Sequence, residues 1–278
     1  MSKRIRPSFS ICMTVLVSVA VAAISSWATR TSQADETPSS AVVNQVIQET
    51  GIDRGVCCML GVDTDVVLGL VQSNDWLVHL LVADSAAVAQ VRQVAARLGV
   101  GIDRLVVEQF GSAKLPYADN MIDLLVATQV TNDALAKLSV SEVLRVVRPE
   151  GAVIVGRPVE NGSTKSVGER LRNWASVDEA RILGADRGSF LVFRKPIPVG
   201  IDEWPLWERG PDNNPVSVDQ CIKAPYLTQF LAEPYFITMP SITTIAGGRT
   251  FLATGHIAHH RREWDMVNLL IARNGYNG

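Results

Sequence analysis

The stretch that decides the fold runs from Val106 to Gly156. It opens with VVEQFGSAKLPYADNMIDLLVATQV (106–130) and closes with SEVLRVVRPEGAVIVG (141–156). Ile122–Val126 and Ala152–Val155 are short, mostly apolar runs rich in Val, Ile and Leu, bounded by turn residues, and read as buried strands. Between them, Ser139–Val147 reads as a helix. Ser139 or Ser141 supplies the N-cap, Glu142 the acid of the first turn, and Val143, Val146 and Val147 one apolar side. Arg148-Pro149-Glu150-Gly151 then stops the helix and turns the chain into the next strand. Strand, crossover, strand is a parallel βαβ unit.

The same alternation extends outward on both sides. Ser39 or Ser40 caps a helix whose stripe is Val42, Val43, Val46 and Ile47 and which Gly51 ends. Val56–Val62, Leu77–Ala83 and Leu105–Glu108 are further apolar strands, and Asp65–Gln72 reads as helical. Asp84 or Ser85 starts a helix to Leu98 with Val88, Val91, Ala95 and Leu98 on one face. Residues 161–188 are polar and weakly patterned, and Ser189–Arg194 is a last strand before the linker prolines Pro196 and Pro198. Helices alternating with apolar strands specify an α/β fold with a doubly wound, mostly parallel sheet. GIDR occurs at 51–54 and again at 101–104, each time before a strand, as two similar helix-to-strand turns.

GSAKLPYADNMIDLLVA followed by LRVVRPEGAVIV resembles the middle of a class I S-adenosylmethionine-dependent methyltransferase. That family reads G-D-A-x-x-L-P-F-x-D-x-x-F-D-h-V and then h-x-R-V-L-K-P-G-G-x-h-h-h. The resemblance covers roughly residues 40–195. It implies a Rossmann-like sheet, closed by a final antiparallel strand, with S-adenosylmethionine at the carboxyl ends of the strands. Its first cofactor loop, h-h-D-h-G-x-G-x-G, falls on residues 57–65, Cys-Cys-Met-Leu-Gly-Val-Asp-Thr-Asp. Only Gly61 is kept. Met59 replaces the acid, and Asp63 and Asp65 replace later glycines, putting two side chains and two negative charges into a loop that ought to be open. Asp84 stands where the family's ribose-binding acid would be, and reads equally as a helix cap. The family's adenine-contacting G-D-A becomes Gly111-Ser112-Ala113, a hydroxyl in place of a carboxylate. The implied cofactor-binding positions are therefore Gly61, Asp63, Asp84, Ser112 and Ala113, with no catalytic side chain and no metal ligand assigned.

Residues 1–34 read as a signal peptide. Lys3, Arg4 and Arg6 precede an uncharged run from Ile11 to Ile24, and Ser26-Trp27-Ala28 and Ser32-Gln33-Ala34 offer small residues for cleavage. Export to the periplasm or cell envelope follows, with membrane attachment only if that segment stays uncleaved. A net charge of −2 gives no reason to expect nucleic acid. Beyond the signal, Cys57 and Cys58 sit in an apolar run as small buried hydrophobes, and a vicinal disulfide or metal pair is the minor alternative.

The domain is expected to span 35–196. Residues 197–278 differ: GIDEWPLWERGPDNNPVS (200–217) is loop-like, and Phe236–Met239, Ile242–Ala246 and Thr250–Ala253 are β-branched runs separated by turn residues. Asn268–Gly278 adds another strand ending in a turn. SITTIAGGRTFLATG followed by NLLIARNGYNG is similar to one blade of a pyrroloquinoline-quinone-like β-propeller. A propeller closes with about four blades or more, so the implied partner is the rest of a propeller in a longer protein, and the quinone is not expected on this portion. Trp204 and Trp207 read as packing residues at the junction. His79 reads as a core histidine, and His256, His259 and His260 as a solvated loop rather than a metal site. Two functions follow. One is a methyltransferase-type domain of unspecified substrate with a degenerate cofactor loop. The other is a catalytically silent module of the same fold that serves an exported propeller protein as a docking part.

Overall fold

A computed structural model describes residues 38–278 apart from 74, 159–163, 176–178, 184–187, 223, 226–227 and 233–240. The signal segment and the Phe236–Met239 run lie outside the described residues. Residues Pro38–Gly278 form one compact unit.

In chain order the first part is α1 (Pro38–Thr50), β1 (Arg54–Leu60), α2 (Thr64–Ser73), β2 (Asp75–Val82), α3 (Ser85–Arg97), β3 (Leu105–Gln109) and β4 (Ile122–Ala127). Then come α4 (Asn132–Lys137), α5 (Val140–Val146), β5 (Val147–Pro158), α6 (Thr164–Ala175), β6 (Arg181–Leu183) and β7 (Gly188–Arg194). The seven strands share one sheet in the order β3-β2-β1-β4-β5-β7-β6. The pairs β1–β2, β1–β4, β2–β3 and β4–β5 are parallel, and β7 is antiparallel to β5 and β6. The fold is thus α/β with a mostly parallel Rossmann-like sheet and an antiparallel strand at the expected place.

Strand periodicity divides the core in two. Cys57, Met59, Leu80, Leu124 and Ile154 face one side, where α1, α2 and α3 bring Val46, Val66, Leu70, Val88 and Val91. Cys58, Leu81, Leu125, Val153 and Val155 face the other, against Val143 and Val146 of α5 and Leu171 and Ala175 of α6. Every residue of β4 is buried, which is why its sequence shows no alternation. Gly156 is required where β5 meets β7: a Cβ there would lie 2.2 Å from the Ser189 carbonyl oxygen.

Three features differ from the sequence reading. Arg148–Gly151 does not precede β5 but forms an outward bulge within its span. Val147 pairs with Ile122, the register shifts, and pairing resumes at Ala152 with Leu124. Glu150 takes φ +61° at that excursion. Second, the polar 131–137 stretch forms α4, capped by the Thr131 side chain. Third, the weakly patterned 161–188 stretch contains α6 and the short β6.

After β7 the described residues up to Ser241 are loop-like, held in part by Asp202. Its carboxylate accepts from Arg209, Ser217 Oγ and the Val218 amide. Three antiparallel strands then form, β8 (Ile242–Ala246), β9 (Arg249–Ala253) and β10 (Leu270–Asn274), in the order β10-β9-β8. Gly247 and Gly248 turn β8 into β9 at φ +57° and +67°, a pair of left-handed residues that a two-residue hairpin requires. The meander is present, and nothing in it identifies a propeller. Trp204 bridges to Ile245 through its backbone, and Trp207 is 64% exposed. No helix among the described residues is long and apolar enough to cross a membrane.

Candidate functional site

In an open α/β sheet the ligand crevice lies beyond the carboxyl ends of the strands, where successive connections diverge. Here that is the boundary between β1 and β4. Four loops meet around it: 61–63 after β1, Ala83-Asp84 after β2, 110–121 after β3 and 128–131 after β4.

Gly61 follows β1 at φ +84° and donates its N–H to the Leu81 carbonyl (3.0 Å). No atom lies within 4 Å of where a Cβ would stand, so the backbone is open to a ligand at that point. Asp63 is different. It is 8% exposed, and its Oδ2 accepts from Thr128 Oγ1 (2.8 Å) and Gln129 Nε2 (3.1 Å), both beyond the end of β4. Its Oδ1 lies 3.4 Å from the Val66 amide in the first turn of α2. One carboxylate therefore bridges the crevice from β1 to β4. Asp65 does not add to this: it is exposed on the first turn of α2, where a negative charge suits the helix end. Of the two acids expected to crowd the loop, only Asp63 does so.

Asp84 caps α3. Oδ1 accepts from the Ala86 amide (3.1 Å) and Oδ2 from the Ala87 amide (3.3 Å). An ionised carboxylate offers about four lone-pair sites, so capping leaves capacity for hydroxyl donors on the exposed side. Ser112 and Ala113 are exposed, and Ser112 Oγ accepts from the Lys114 amide (3.1 Å) in a local turn. Gly61, Asp84 and the 112–113 pair thus follow the carboxyl ends of the adjacent strands β1, β2 and β3, with Asp63 reaching across to the end of β4.

The 110–121 loop is held from below by α5. Glu142 Oε1 accepts from the Leu115 amide (2.7 Å). Arg145 donates to the Tyr117 carbonyl (2.8 Å), the Leu115 carbonyl (3.2 Å) and Asp119 (2.8 Å), and is paired with Glu142 at 2.6 Å. Hydrogen bonding from Arg145 draws the Glu142 carboxyl below its ordinary range.

Beneath the loop lies a polar cluster. The Tyr117 hydroxyl and His79 Nδ1 are 2.8 Å apart, and the two rings meet edge to face. Glu108 Oε2 is 3.3 Å from His79 Nε2, a charge contact not aligned as a hydrogen bond. Burial pushes the Cys58 thiol up to about 12, with a hydrogen bond to Tyr117 opposing it. Burial also raises the Tyr117 hydroxyl and the Cys57 thiol. The two thiols and the Tyr117 hydroxyl therefore stay protonated near pH 7, and Cys57 and Cys58 are buried as small hydrophobes, as expected. Cys57, Cys58 and Cys221 are free thiols.

Thr128 and Gln129 were not legible as site residues; the polar pair that follows the last apolar residue of β4 was the only signal. Among the described residues no group of His, Cys, Asp or Glu could hold a metal. Glu263 is instead a structural acid, accepting the His259 (2.8 Å) and His260 (3.2 Å) amides.

No family model matches the chain. No curated protein matches it either. Solved structures do resemble it. A protein from Methanococcus maripaludis, assigned as an S-adenosyl-L-methionine-dependent methyltransferase, superposes with a TM-score of 0.49 at 17% identity, over 58% of this chain and 86% of its own. An Aquifex aeolicus SAM-dependent methyltransferase gives 0.41 at 15% identity, over 54% and 88%. The (4+2)-cyclase SpnF gives 0.45 at 18% identity, over 57% and 82%. Likenesses this distant fix no activity.

Proposed function

We propose that this chain is an S-adenosylmethionine-dependent methyltransferase-type domain of unassigned substrate, with the cofactor's nucleoside portion along the rim of Gly61, Asp84, Ser112 and Ala113. The observation that carries this is the sheet order itself. A parallel set β3-β2-β1-β4-β5 closed by antiparallel β7 gives a crevice beside an unobstructed, left-handed Gly61. The resembled sequence between 111 and 156 supplies the loops of that rim. Asp84 retains acceptor capacity for ribose hydroxyls, and Ser112 for one adenine donor. The cofactor would supply its own electrophilic methyl group, so the chain's task is to hold and orient it rather than to move protons.

A second reading is favoured by one feature, the Asp63 bridge to Thr128 and Gln129. It occupies the side of the crevice where the methionine portion would lie. In that reading the domain is catalytically silent and serves as a docking or structural part of an exported, propeller-like protein. The expected signal segment and the C-terminal β-meander support it.

Calorimetric titration of the mature chain with S-adenosylmethionine, alongside an Asp63→Gly variant, separates the two. Saturable heat in the parent, weakened at least about tenfold by Asp84→Ala, is the expected result for the first reading. Heat in neither chain at millimolar cofactor leaves only the second. Heat only after Asp63→Gly identifies the bridge as the lesion.

A further inference from the structure

One cavity lies away from the carboxyl rim. It lies at the opposite edge of the sheet, where the amino ends of the parallel strands face the β8–β10 meander, and encloses about 580 Å³. A second cavity of about 390 Å³ shares Gly55, Asp75, Asp123, Asn277 and Gly278 with it. Its floor is built around Asp123. That carboxylate, 4% exposed by residue, accepts from Arg148 Nε (2.5 Å), the Val56 amide (2.9 Å) and Asn277 Nδ2 (2.8 Å). The last bond ties the C-terminal turn to the start of β4.

Five arginines line this cavity, brought by distant parts of the chain: Arg54, Arg148, Arg194, Arg249 and Arg273. Antiparallel β7 is what delivers Arg194 to this edge, since its carboxyl end lies beside the parallel strands' amino ends. Arg249 follows the Gly247-Gly248 turn directly. Two of the five are neutralised locally, Arg54 by Asp53 and Arg148 by Asp123. Arg194 spends its Nε on the Glu150 carbonyl (3.0 Å). Arg194 and Arg249 then share the lining with Glu150. The remaining acid of the lining, Asp75, starts β2, three strands from β5 in the sheet. Glu203, outside the lining, is committed to the Gly247 amide (2.7 Å).

We propose that this cavity is a binding site for a small organic anion, its phosphate or carboxylate group held at the Arg194–Arg249 end. Guanidinium forks match the planar or tetrahedral oxygens of either group. The cavity volume is that of a metabolite-sized ligand site rather than of a single ion. The proposal is independent of the carboxyl rim and of whether S-adenosylmethionine binds there.

Calorimetry at constant ionic strength tests it on the full chain, with inorganic pyrophosphate and citrate as probes. One of them binds with one-to-one stoichiometry and a dissociation constant below about a millimolar, and which one binds names the anion class. Arg249→Ala, at an exposed turn, weakens that binding by about tenfold or more. Arg194→Lys, which keeps the charge and loses the fork, weakens it measurably while the melting temperature stays at the parent value. Asp63→Gly leaves it unchanged. No binding of either probe, binding unaffected by Arg249→Ala, or displacement of the probe by S-adenosylmethionine overturns the assignment.

Discussion

Asp63 stands where the resembled family keeps a glycine, and its side chain joins two elements that a ligand would otherwise separate. Removing it has a stability cost as well as an effect on the crevice. In Asp63→Ala, the Thr128 hydroxyl, buried with its residue at 1% exposure, loses its acceptor. The expected loss is about 1–3 kcal/mol, read as a lower urea midpoint at unchanged slope. A midpoint equal to the parent's would mean that water takes the carboxylate's place. Thiol chemistry gives a second check at this scale. Cys57 and Cys58 are wholly buried and their thiols are raised by burial, while Cys221 is exposed. In a Cys12→Ser chain, an aromatic disulfide reagent at pH 8 titrates one thiol quickly and the other two only in denaturant. Rapid reaction of all three would refute the burial assigned to β1.

At the scale of elements, α5 matters less as a core helix than as the clamp on the 110–121 loop. Glu142 and Arg145 do the holding. Because Arg145 lowers the folded Glu142 carboxyl below its ordinary value of 4.5, the clamp's contribution is complete above that value. It is lost as pH falls through the lower folded value. Glu142→Gln removes this dependence. The parent's melting temperature should therefore fall more steeply than the variant's as pH drops below about 4.5. Parallel curves would mean that the clamp adds nothing. The major elements were legible because β1, β2, β4 and β7 are predominantly apolar runs and α3 has a clear stripe and cap. The bulge at 148–151 was not. Its residues have the composition of a turn, and only pairing with β4 on both sides of it makes it part of β5. The helices α4 and α6 were missed for a related reason. Short or polar elements take their stability from the surface on which they pack, and local propensity under-reports them.

Across the whole molecule, the C-terminal turn is fastened to the large sheet by few groups. Asn277 Nδ2 reaches Asp123 Oδ2 (2.8 Å) and the Met121 carbonyl (3.0 Å), and Gln229 Nε2 joins the Asp119 and Tyr276 carbonyls (2.7 and 2.9 Å). In Asn277→Ala, amides of β9 and β10 should exchange with deuterium about tenfold faster while those of β1 and β4 stay protected. Equal protection in variant and parent would show that the meander is held by other contacts. This fastening also sets the arginine-lined cavity, which would be open edge without it.

The sequence by itself determined the strands of the parallel sheet, the helix that Asp84 caps, the Gly247-Gly248 turn and the loss of the glycine-rich loop. Each of these is local: an apolar run, a cap or a left-handed turn acts within a few residues. Only the tertiary structure decided that Asp63 crosses to Thr128, that Asp65 points away, and that Asp123 joins β1, β5 and the C-terminal turn. Such bonds link residues 25 to 154 positions apart, and a separation of that kind is set by strand order and register, which no local pattern encodes.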